Sequence, residues 1–187
     1  MIRQEALEIL HNMVQSQNLR KHCYAVGAVM ATLALKFEMS NDKCQIWEIA
    51  GLLHDADYEK YPKKHPSVTI EELEKRKEDP ELIAAIKAHA WGYREGYPKP
   101  ESKFEWSLYI CDELTGLIVA CALVRPDRKL ASVDVASVMK KWNQKSFAAG
   151  VDRSHIELCD EKLGIKLPDF IQIALSAMQA IAIDLGL

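Results

Sequence analysis

The sequence is poor in the features that mark specialised classes of protein. Only 8 glycines and 7 prolines occur in 187 residues, too few for a collagen-like, low-complexity or disordered chain. The 24 lysines and arginines stand against 27 acids, a net charge of −3 with no long block of either sign. That excludes a protein held on nucleic acid by bulk positive charge, so no duplex partner is expected. There is no C-x-x-C pair. The five cysteines, Cys23, Cys44, Cys111, Cys121 and Cys159, are odd in number and sit mostly in apolar runs, as small core residues of a reduced compartment do. The uncharged stretch Thr115 to Val124 is about half of a membrane span. Met1 to Glu5 carries an early acid, unlike the basic start of a secretory leader. These absences predict a soluble cytoplasmic protein with no membrane partner.

What is present is helical periodicity. Ile2, Ala6, Ile9, Leu10, Met13 and Val14 recur at spacings of three and four, one face of a helix to about Gln15. Val26, Val29, Met30 and Leu33 mark a second helix, and Ser40 caps a third through Ile46, Ile49, Ala50 and Leu53 that is expected to end near Asp57. Pro66 starts a helix to about Lys77, and Asp79-Pro80 caps and opens the next, with Leu82, Ile83 and Ile86 inward. Trp91 to Pro100 reads as a loop. Ser102 opens a long helix to about Val124, shorter ones follow at about 132–140 and 153–163, and Pro168 starts a last one in phase through Leu185. No segment alternates with period two, and there is no repeat or Ser/Gly-rich linker. The expectation is one all-α domain, a helical bundle over residues 1–187.

The histidines carry the chemistry. His54-Asp55 follows Ala50-Gly51-Leu52-Leu53, so an imidazole and a carboxylate emerge together from the end of a core helix, pointing about 100° apart. They can grip one ion from adjacent directions, or the carboxylate can bridge two. His22, His65 and His89 stand beside them in the sequence, and Asp112 lies inside the most apolar helix, where a carboxylate is costly unless paired or coordinated. Imidazole with carboxylate suits one or two divalent ions such as Fe, Mn, Ni, Co, Zn or Mg rather than a thiolate-type structural zinc.

The order His22, His54-Asp55, His65, His89, Asp112 resembles the H…HD…H…H…D signature of the HD superfamily of metal-dependent phosphohydrolases. The resemblance implies an HD-type bundle with a metal core at about 19–124, covered by helices at about 132–187. It implies that His22, His54, Asp55 and Asp112 hold a first metal, and that Asp55 bridges to a second held by His65 and His89. The two additional histidines set the chain near the dinuclear branches rather than the mononuclear 5′-nucleotidases. The loop after His89 ends in a literal Gly96-Tyr97-Pro98, but Ala90 and Trp91 stand where the cyclic-dinucleotide enzymes have a His and a Glu, and that departure argues against cyclic di-GMP. Tyr58 occupies the place of the nucleotidase catalytic Glu, with Glu59 one residue late.

The implied reaction is hydrolysis, by metal-activated water, of a phosphate ester or anhydride in a nucleotide or other small phosphorylated molecule. There is no G-x-S-x-G elbow or Walker loop to supply another route. Asp55 is the central catalytic residue, with Asp57 and Glu59 as candidates for proton transfer or for orienting a water. Lys63, Lys64, Arg94, Arg125 and Lys129, and beyond them Arg128, Lys141 and Lys145, are candidates for phosphate binding. Tyr58, Trp91, Tyr93 and Tyr97 could stack on a base, and Glu113 and Thr115 lie within a turn of Asp112. His11 and His155 read as structural or solvent-facing. Two other functions use the same residues: a di-iron oxygenase, and a non-catalytic metal-dependent nucleotide sensor. The last helix could form a homodimer face.

Overall fold

The computed structural model describes residues 1–144 and 146–187. Small polar residues begin most of the helices, because the first amides of a helix lack internal partners. After α1 (Arg3–Met13), Ser16 accepts from the Leu19 amide to start α2 (Gln17–Lys36), and Ser40 accepts from Lys43 to start α3 (Asn41–Leu53). Then come α4 (Ser67–Arg76), α5 (Pro80–His89), capped by Asp79, and α6 (Lys103–Leu123), capped by Ser102. A 3₁₀ turn at Leu130–Ser132 leads to α7 (Val135–Trp142), α8 (Arg153–Glu157), α9 (Cys159–Leu163), α10 (Leu167–Ala180) and α11 (Ala182–Leu185). Among the described residues there is no strand, and Trp91 and Arg94 make only an isolated bridge. The fold is all-α.

Three boundaries differ from the expectation. The third helix stops at Leu53 rather than near Asp57, because the chain continues in tighter turns: the Ala56 amide donates to Leu53 and that of Tyr58 to Asp55. The segment 153–163 breaks at Leu158, whose amide turns back to the carbonyls of His155 and Ile156. The last helix breaks at Ile181, after which Leu185 is buried while Ile183 is 96% exposed.

The packing that sets the site is the crossing of α2 and α3. A Cβ on Gly51 would lie 2.6 Å from Cα of Gly27, so the two backbones touch where no side chain fits. This close approach brings His22, five residues before Gly27, up to His54, three after Gly51. α6 runs past both and is long and apolar enough to cross a membrane by composition, yet 67% of its most apolar stretch is buried inside the protein. Phe104, Leu108, Ile110, Leu114, Leu117 and Ile118 on it belong to a buried cluster running from Ala6 to Leu185. Asp112 breaks that apolar surface, which calls for a compensating partner.

Candidate metal centre

The six residues of the motif meet in two triads. The ligand atoms of His22, His54 and Asp112 lie within 4.8 Å of one another, and so do those of Asp55, His65 and His89. Asp112 Oδ1 is 2.9 Å from His22 Nε2 and 3.4 Å from His54 Nε2. Asp55 stands between the triads. Its Oδ2 is 3.8 Å from His22 Nε2 and 3.7 Å from His54 Nε2, while its Oδ1 is 3.3 Å from His65 Nε2 and 3.9 Å from His89 Nε2. One oxygen of a single carboxylate addresses each triad, the arrangement of a bridging ligand.

All four imidazoles are held from behind. Nδ1 of His54 donates to the Gly51 carbonyl at 2.8 Å, that of His89 to Ile86 at 2.5 Å, and that of His65 to the Asp57 carboxylate at 2.7 Å. The Thr115 hydroxyl donates to the Asp112 carbonyl, so its oxygen is free to accept from His22 Nδ1 at 3.4 Å. In the neutral rings the Nδ1 protons point outward, so each Nε2 then turns its lone pair to the cluster. Two such pairs of nitrogens, His22 with His54 and His65 with His89, face each other at 3.2 Å. Neutral nitrogens at that distance need a proton or a cation between them. The donors are imidazole and carboxylate throughout, and they fit divalent cations of borderline hardness.

The electrostatics differ between the triads. Burial alone would lower the pKa of His54, but the charges of Asp55 and Asp112 outweigh it and raise it to about 9. Burial would likewise raise Asp112, yet His54 and His22 hold it well below the usual carboxylate range. His89 is pushed down to about 4 by burial and by the neighbouring imidazoles of His54 and His65, which keeps it a neutral donor.

A cavity of about 350 Å³ opens onto Asp55, His65, His89 and Asp112. Its other walls include Tyr58, Trp91, Tyr93, Tyr109, Glu113, Asp152 and His155. Burial, together with the charges of Asp112 and Asp152, lifts Glu113 to about 7 against the hydrogen bond it accepts from the Asp152 amide.

Several candidates lie elsewhere. Asp57 is fully buried and does not line the cavity; besides His65 it accepts from the amides of Val68 and Thr69 at 2.9 and 3.0 Å. It thus caps the start of α4 and holds His65 through the same carboxylate, away from the cavity. Glu59 is spent on the amides of Gln15 and Ser16, at 2.7 and 3.0 Å on the surface. Lys63 and Lys64 are exposed, Arg94 donates to the Pro62 carbonyl, and Arg125, Arg128, Lys129 and Lys141 lie beyond the cavity. No lysine or arginine among the described residues lines it; Lys145 lies outside the described residues. Tyr97 turns its hydroxyl to Ser67, and Thr115 sits behind His22. His155, expected to be structural or solvent-facing, is about one-third exposed (33%) and forms part of the cavity wall, with Tyr109 beside it. The Asp152 cap that opens α8 is the sequence signal that points to this wall.

No curated protein matches the sequence. A family model of the HD domain matches residues 19–117, a little over half of the chain. That stretch holds every member of both triads, and the chain belongs to the HD domain family.

Proposed function

We propose that this protein is a metal-dependent phosphohydrolase acting on an ester or anhydride of a small phosphorylated molecule, a nucleotide among the candidates. The observation that carries the reading is Asp55, with one carboxylate oxygen facing each triad. His22, His54, Asp55 and Asp112 would hold one divalent cation and Asp55, His65 and His89 a second, and these would supply Lewis acidity toward a phosphoryl group.

The protein's own residues orient and enclose. Asp57 holds the His65 ring with Nε2 inward, as the carboxylates behind metal-bound histidines do. Tyr58, Trp91 and Tyr93 wall the cavity, and the absence of lysine and arginine from the described wall leaves phosphate binding to the cations. That disfavours substrates with several phosphates in a row, whose outer charges would meet Glu113 and Asp152.

The test is a panel of phosphate mono- and diesters and nucleotides offered to protein loaded with Mn, Fe, Co, Ni, Zn or Mg. Metal-dependent phosphate release, lost in Asp55→Ala, is the expected result. Oxygen consumption by the iron-loaded protein without phosphate release would assign the site to an oxygenase. Ligand binding without turnover would assign it to a sensor.

A further inference from the structure

Part of the cavity wall comes from beyond the family match. His155, in α8, packs against Tyr109 of α6 with ring centroids 4.6 Å apart and the planes tilted by 38°, and its Nε2 lies 2.9 Å from the Tyr109 hydroxyl. Asp152 Oδ2 is 3.7 Å from Nε2, and Glu113 Oε1 is 3.9 Å from Nδ1. Nδ1 has no hydrogen-bond partner among the described residues, so it is the ring nitrogen left for a bound molecule.

Hydrolysis of an unactivated ester needs a proton for the departing oxygen. The non-ligand groups around this wall differ in their capacity to give one. Tyr109 is pushed up to about 12, first by burial and then by Asp152 and Glu113, which makes it a weak acid. Asp152 accepts from the amide and hydroxyl of Ser154 at 2.9 and 2.6 Å, capping α8. Glu113 accepts from the Asp152 amide at 3.0 Å. His155 alone combines a free ring nitrogen, a fixed orientation and carboxylates on both sides to balance an imidazolium charge.

Resting on the phosphohydrolase reading, we infer that His155 is the proton donor to the leaving group and that Tyr109 is its positioning residue. As the bond from phosphorus to the ester oxygen breaks, that oxygen takes the proton from His155 Nδ1 and leaves as an alcohol. Water supplies the new oxygen on phosphorus, and the proton that water loses returns the ring to its charged form through solvent. The substrate class this serves is a small ester with an alkyl or sugar leaving group.

The experiment compares wild type with His155→Gln, metal-loaded, on an alkyl phosphate and on p-nitrophenyl phosphate, whose leaving group departs without a proton. The expected result is a fall in kcat of about a hundredfold or more on the alkyl ester, with the nitrophenyl ester within about fivefold of wild type because the acid is not needed there. His155→Asn repeats the split should His155→Gln melt early. Equal losses on both esters, or no loss on either, overturn this inference alone. A wild type that turns over neither of these esters overturns this inference, and one inactive on the whole phosphate panel overturns the phosphohydrolase reading with it. Independently of activity, Tyr109→Phe should move the ¹⁵N resonance of His155 Nε2, and an unmoved resonance contradicts the pairing.

Discussion

The two triads both face the Asp55 carboxylate but are built on different physical terms. The first is assembled by backbones: α2 and α3 touch at Gly27 and Gly51, and α6 adds Asp112 against both imidazoles. It gathers negative charge, and His54 is raised to about 9 as a result. The second is assembled by side chains: His65 follows the turns after α3 and is held by Asp57, His89 ends α5, and only Asp55 brings a carboxylate. His89 is pushed down to about 4. Coulomb attraction at short range in a buried site outweighs the loss of hydration only where charges are matched. The first triad should therefore hold its cation more tightly, and the second should depend on its support from Asp57.

The largest effect comes from removing what the triads share. Asp55→Ala is expected to weaken cation binding at both and to take hydrolysis to background, measured by elemental analysis beside phosphate release. Retention of two tightly held ions would break the bridging geometry. Gly51→Ala strikes the first triad through the fold. Its methyl group would meet the α2 backbone, and overpacking of this kind costs about 1–3 kcal/mol, read as a lowered midpoint in thermal or denaturant unfolding. An unchanged midpoint would mean that the helices can part without cost. Asp57→Asn strikes the second triad alone. Loss of the carboxylate behind His65 is expected to weaken the second cation about 10- to 100-fold and leave the first unchanged, as titration calorimetry would resolve.

The smallest effect is in the protons. His54 in the metal-free protein titrates at about 9, above its ordinary 6.5, so at pH 7 it carries a proton that a cation must displace. Affinity at the first triad should rise with pH up to about 9 and then level, with a proton released on binding. His89 is already neutral above about 4, so the second triad should release none from it. By the same sign, the stability that protonated His54 lends the metal-free fold is present below 6.5 and lost as pH rises through about 9. Calorimetry in two buffers of different ionisation enthalpy reads the released protons, and equal release at both triads would contradict the contrast.

The helices and the six residues of the two triads were legible because their signals are local or ordered. Periodic apolar residues and the Ser16, Ser40, Asp79 and Ser102 positions declare the elements, and an imidazole and carboxylate pattern in a fixed order declares the centre. Asp57 and Glu59 read alike in sequence, two acids after a helix, yet one is sealed against His65 and the other holds the amides of Gln15 and Ser16, ahead of α2, on the surface. Only the three-dimensional path of the turns at 54–66 separates them. His155 finds Tyr109 across 46 residues, a pairing with no local trace. The basic residues proposed for phosphate carry charge but no address, and the fold leaves the described ones off the cavity wall.

Metal content of the purified protein, compared with His89→Ala, tests the centre most directly. Two divalent ions per chain in the wild type and one in the variant are expected, because the first triad keeps all of its own ligands. One ion in both proteins would contradict a centre built on two cations joined by Asp55.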